Sequence, residues 1–142
     1  MQAKVIAYWI TTSLVAFAFA AGGLMDLLGG KDVVEGLAHL GYPAYFASIL
    51  GVWKLLGAPA LLVPGLPRLK EWAYAGMFFD LTGAAVSHAA VSDPIANVLT
   101  PLVLAGLLVA SWRLRPASRV LGTLPGASRE ERSAPPMGAH AA

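Results

Sequence analysis

Val5-Ile-Ala-Tyr-Trp-Ile-Thr-Thr-Ser-Leu-Val-Ala-Phe-Ala-Phe-Ala-Ala-Gly-Gly-Leu-Met25 contains no charged residue, and its apolar character continues to Leu28. As a helix, about 24 residues rise about 36 Å, enough to cross the hydrocarbon of a bilayer with some tilt. A secretory signal is the rival reading, because Lys4 precedes the run and Ala18-Phe19-Ala20 has the small-x-small form that a signal peptidase cuts. Apolar residues continue past that point through Leu24, Leu27 and Leu28, which favours a membrane span. Three further apolar stretches follow, over about 44–63, 72–92 and 95–112. The connections between them run from Gly29 to Pro43, through Pro64, Gly65 and Pro67, and through Asp93-Pro94, and short connections suit antiparallel neighbours.

The expected fold is therefore all-α: an integral membrane four-helix bundle over residues 1–115, with spans at about 5–28, 44–63, 72–92 and 95–112. Within the first connection, Asp32 to Leu40 reads as a short helix with Val33, Val34, Leu37 and Leu40 on one face and Asp32, Glu35 and His39 on the other, Asp32 capping it. From Pro116 onward Pro, Ala, Gly, Ser and Arg dominate, so residues 116–142 read as a disordered cytoplasmic tail.

Composition agrees with lipid as the main solvent. Of 142 residues, 57% are hydrophobic and only 13% are charged, too few to cover a soluble domain of this size. The net charge of +2 gives no reason to expect a nucleic-acid partner. Cysteine is absent, which removes disulfides, thiol nucleophiles and thiolate-held metals. No clustered metal-ligand spacing, Walker sequence or nucleophile elbow occurs, so no metal is expected. Basic residues are strongly one-sided: Lys4, Arg68, Lys70, Arg113, Arg115, Arg119, Arg129 and Arg132 fall on one face of the four-span layout and only Lys31 on the other. The positive-inside rule then puts both termini in the cytoplasm and the Lys31–Tyr42 connection outside. Tyr8, Trp9, Trp72, Tyr74 and Trp112 lie near the cytoplasmic ends, as an interfacial aromatic belt requires.

Ionisable residues inside apolar spans carry the functional signal. A central lysine costs about 3 kcal/mol on the insertion scale, and the apolar residues around Lys54 return about 4 kcal/mol, so the second span inserts. The third returns only about 2 kcal/mol against about 3 kcal/mol for Asp80 and needs a partner helix. Ala73, Gly76, Asp80, Gly83 and Ser87 form one small-residue stripe, and Ala47, Gly51, Lys54 and Ala58 another, both suited to close helix approach. Lys54 and Asp80 lie at similar depth in antiparallel spans, so an ion pair or water-bridged contact between them is expected. Asp26 and His88 fall nearer the outer end, close to Glu35 and His39, and the six groups could line an outward-opening polar cavity. Two readings stand: a site, or a registry device that fixes helix pairing. Asp26 can equally end the first helix, His88 can be a hydrogen-bonded interior residue, and Glu35 with His39 can be a solvated face. Pro59 and Pro101 free carbonyls within their spans, with Asn97 and Thr100 as local polar partners.

Three segments together resemble the DoxX-like family of small bacterial membrane proteins: Gly36-Leu-Ala-His-Leu-Gly-Tyr-Pro43 with Ala44-Tyr45-Phe46, Leu50-Gly-Val-Trp-Lys-Leu-Leu-Gly-Ala58, and Pro64-Gly-Leu-Pro-Arg-Leu-Lys-Glu-Trp-Ala-Tyr-Ala-Gly76. The likeness spans about residues 5 to 112 and implies a four-helix bundle in the bacterial inner membrane. For some members of the wider DoxX and DoxD group it further implies thiosulfate oxidation with quinone as acceptor, or membrane oxidoreductase assemblies in oxidative-stress defence. It supplies no catalytic residue set. With no cysteine, a redox role requires a bound quinone, another cofactor or a partner subunit. The classes to separate are a quinone-linked oxidoreductase subunit, a small polar-solute or proton conduit, which in so small a bundle needs a homo-oligomer, and an assembly protein without catalysis.

Overall fold

Each apolar stretch becomes a helix, and Gly or Pro stands in every connection. The computed structural model describes residues 2–121. It contains α1 (Gln2–Leu28), α2 (Lys31–His39), α3 (Tyr45–Leu62), α4 (Pro67–Ala90), α5 (Ile95–Leu114) and a 3₁₀ turn at Ala117–Arg119, with no strand among the described residues. The four long helices form a ring in which α1 lies between α3 and α5, and α4 closes the ring against α5 and α3. Successive spans reverse direction, so every neighbouring pair in the ring is antiparallel. α1, α3 and α5 are long and apolar enough to cross a membrane. α4 is long enough at 24 residues, but Arg68, Lys70, Glu71 and Asp80 lower its hydropathy, and it completes the bundle by packing on its neighbours.

Burial confirms which faces meet. α1 buries Tyr8, Thr12, Val15, Ala16, Phe19 and Gly23, spaced three and four apart as one helical face requires. The core joins Val15 and Phe19 to Ala58, Leu61, Tyr74, Met77, Leu81, Ala105 and Leu108. Large apolar side chains also cover the outside, among them Phe17, Trp53, Phe79 and Val103, which in water would be an aggregation surface and in a bilayer is the lipid-facing one. The protein is a multi-pass membrane protein.

α1 and α3 make the tightest crossing. A Cβ added at Gly51 would lie 2.7 Å from Leu27 Cγ and 2.9 Å from the Gly23 carbonyl oxygen; one added at Gly23 would lie 2.8 Å from Lys54 Cβ. Both positions therefore require glycine for backbone approach. The small-residue stripe of α3 (Ala47, Gly51, Ala58) is buried, and its Gly51 meets α1. The stripe of α4 departs further from expectation. α4 turns Tyr74, Met77, Leu81 and Ala85 into the core, because these fill the space between helices, and a Cβ at Gly76 or Gly83 would meet nothing within 4 Å.

Other local readings are corrected similarly. Asp32 makes no cap; α2 begins one residue earlier with Gly30 at its N-cap position and no side-chain capping bond. Its apolar face, Val33, Val34, Leu37 and Leu40, is half-buried. Tyr8 and Tyr74 are buried and belong to the core, while Trp9, Trp72 and Trp112 are exposed. Thr100 donates to the Ala96 carbonyl at 2.8 Å, one position before the carbonyl that Pro101 frees. Residues 116–121 of the expected tail include the 3₁₀ turn; the rest of the tail lies outside the described residues.

Candidate functional site

The glycine crossing of α1 and α3 positions the central polar group. Lys54 leaves α3 directly over Gly23, whose missing side chain makes room for the lysine stem. Because Cβ vectors lean towards a helix's N-terminus, the chain runs back along α1 towards Asp26. Lys54 Nζ donates to Asp26 Oδ2 at 2.9 Å, and Asp80 Oδ2 stands 3.9 Å from the same nitrogen. All three side chains are 21% exposed or less. The nearest partner of Lys54 is thus Asp26 on α1, where the sequence pointed to Asp80 on α4. Helix rise alone placed Asp26 too far outward, since it omits the reach of the lysine stem.

Asp80 borders a cleft between α3 and α4, the long-helix neighbours that pack least extensively. Its volume is about 340 Å³, at the lower end for small-molecule sites. Phe19, Trp53, Trp72 and Met77 wall it, and Lys54 and Asp80 form its polar end. Ala73 and Gly76 also line it, so the small-residue stripe of α4 creates space instead of filling it. Trp53 and Trp72, at the rim, are 69% and 75% exposed on the bundle's side, which makes the cleft open towards lipid. A smaller pocket of about 90 Å³, lined from all four long helices, touches the same Lys54 and Asp80.

The remaining expected groups gather at the end of the bundle that carries α2. His39 Nε2 and His88 Nδ1 approach the two oxygens of Asp93 at 2.7 and 2.6 Å. An ionised carboxylate only accepts, so both ring nitrogens donate. Tyr42 and Ser87 hydroxyls meet at 2.8 Å beside them. This clamp ties α2 to the α4–α5 turn. In the sequence Asp93 stands only as a turn residue, and its pairing with His39, 54 positions away, is invisible to any local pattern. Glu35 joins neither group; its cation is Lys31, at 3.7 Å on the exposed face of α2. The six expected groups therefore divide into Asp26–Lys54–Asp80, His39 and His88 on Asp93, and a solvated Glu35.

Hydrogen bonds from His88 and then His39 hold the Asp93 carboxyl below the usual carboxylate range. With the folded value depressed, the stabilisation is complete above the unfolded value, about 3.9, and is lost as pH falls through the folded value. Thermal unfolding midpoints should hold level from neutral pH to about pH 4 on this account and then drop, and Asp93→Asn should flatten that acid limb. An identical acid limb in the variant would remove the clamp from the account.

At the opposite end, two cations close the C-terminus of α3. Lys70, fully buried, donates to the carbonyls of Ala60 at 2.7 Å, Leu61 at 3.1 Å and Val63. Arg119 Nη1 donates to those of Leu61 and Leu62 at 3.2 and 3.1 Å, and the guanidinium carbon lies 4.6 Å from the Trp9 ring centroid. All four carbonyls that a helix end leaves without partners are thereby satisfied. Thr12, Ser111 and Tyr74 form a buried hydroxyl chain, 2.6 Å and 2.8 Å long in its two links. Arg115 Nη1 makes an ion contact with Glu71 at 2.7 Å rather than an aligned hydrogen bond. In the sequence these basic residues register only as topological charges. The missed signal was a lysine one turn into the helix after a Pro-Gly turn.

The profile of the DoxX-like family matches residues 10–111, which includes α1 from its third turn and nearly all of α5. This chain belongs to the DoxX-like family. No curated protein and no solved structure matches it.

Proposed function

We propose that the protein is a membrane subunit or accessory of a quinone-linked oxidoreductase, and that the α3–α4 cleft receives the quinone head. The single observation carrying this reading is the lipid-open cleft itself: aromatic walls for a planar ring, and an amine and an acid in its lining to meet its carbonyls. The lining suits the group: Trp53 and Trp72 offer flat faces, and Lys54 and Asp80 offer polar contacts within the hydrocarbon. A bound quinone supplies two-electron redox chemistry that this cysteine-free chain lacks. The chain's own residues bind and orient the ring and keep water from it, and the electrons come from a partner subunit. In the same reading both termini face the cytoplasm, which the one-sided Lys and Arg count supports.

A short-chain quinone titrated into protein in nanodiscs should quench tryptophan fluorescence saturably through Trp53 and Trp72, and Lys54→Met should weaken binding about tenfold, the loss of about 1.4 kcal/mol. Quenching that rises without saturation, or is equal in the variant, contradicts the reading. A stable protein partner recovered without quinone would instead make the chain an assembly protein.

A further inference from the structure

We infer that the Asp26–Lys54–Asp80 group stores one exchangeable proton, carried on Asp80, so that the cleft presents a carboxylic O–H donor to its ligand. Two carboxylates flank one amine within the bundle, and with all three ionised the group has a net charge of −1. Low-dielectric surroundings make an uncompensated charge so costly that such a group neutralises instead. Among the described residues, Asp26 from α1 and Lys54 from α3 are the ionisable groups facing Asp80, and α5 contributes only Leu104 there.

Geometry decides which acid takes the proton. Lys54 hydrogen-bonds Asp26 at 2.9 Å, a charge-assisted contact in which the two charges compensate each other, whereas Asp80 stands off at 3.9 Å. Asp80 is also the carboxyl that borders both the cleft and the smaller pocket, while Asp26 lines neither. A neutral acid there donates a hydrogen bond. The cleft would accordingly select lipid-soluble molecules whose polar end is a hydrogen-bond acceptor, carbonyls above all, over amphipathic amines, which require an ionised Asp80. The proton's location follows from charge and distance alone; its use on a ligand carbonyl rests on the function proposed above.

Infrared spectroscopy of the full-length protein in dodecyl maltoside, which has no carbonyl of its own, tests this directly. At neutral pH the wild type should show the C=O stretch of a protonated carboxyl, shifted on transfer to heavy water and missing in Asp80→Asn. Asp26→Asn should also abolish the band, because Lys54 then turns to Asp80 and ionises it. Lys54→Met should strengthen the band by leaving two neutral acids. The wild-type spectrum needs no variant to fold: absence of the band overturns the inference. So does a band that survives Asp80→Asn, or one that Asp26→Asn leaves unchanged. Saturable quinone binding without the band would leave the cleft reading intact and remove the stored proton; the band without quinone binding would do the reverse.

Discussion

Lys70→Met is expected to destabilise the bundle by roughly 3 kcal/mol or more, since hydrogen bonds to a charged donor are worth about 1.5–3 kcal/mol each and the variant strands buried carbonyls. Lys70 has no exposed surface, and its ammonium spends all three donors on the last turn of α3. The buried Ala60 carbonyl, which Lys70 reaches and Arg119 does not, has no substitute donor in the variant. The effect should reach the cleft, because Ala60 and Leu69, which flank this clamp, line it. Loosening the end of α3 then lets α3 and α4 separate where Ala60 and Leu69 line the cleft. Unfolding midpoints in mixed detergent micelles measure the loss, and Lys70→Arg, which keeps a cation without the same three-way reach, should recover part of it. A change below about 0.5 kcal/mol, typical of surface positions, would mean that the clamp contributes nothing.

The helices were the most legible part of the sequence, because hydropathy and Gly or Pro punctuation report on the chain's own solvent and turns. α1, α3 and α5 follow the apolar runs closely: 2–28 against 5–28, 45–62 against 44–63, and 95–114 against 95–112. α4 begins at Pro67 rather than near residue 72. Its first turn is too polar for hydropathy to include, and it is that turn which carries Lys70. The polar residues of the site were legible as types and depths, but their pairing was not. Pairing depends on how each helix is rotated, and rotation is set by bulky residues competing for the core. Tyr74, Met77 and Leu81 won that competition on α4, which swung the Gly76 stripe and Asp80 to the cleft. On α3 the Gly51 contact with Gly23 turned Lys54 towards α1. A stripe of small residues predicts close approach or a cavity equally well until its neighbours are known.

The second large effect concerns Lys54, whose removal leaves Asp26 without its cation inside the bundle. Truncating one member of a buried charge pair costs about 3–5 kcal/mol where the other stays charged; the option of taking up a proton brings the expected cost of Lys54→Met to roughly 1–3 kcal/mol. The identity of its partner is the point on which both the cleft and the stored proton depend. Paired double-mutant cycles of unfolding free energy, Lys54→Met with Asp26→Asn and Lys54→Met with Asp80→Asn, decide it in one measurement. The account predicts a coupling of about 1–3 kcal/mol for Lys54 with Asp26 and a clearly smaller one with Asp80. Additive losses for Lys54 and Asp26 beside strong coupling of Lys54 to Asp80 would contradict it.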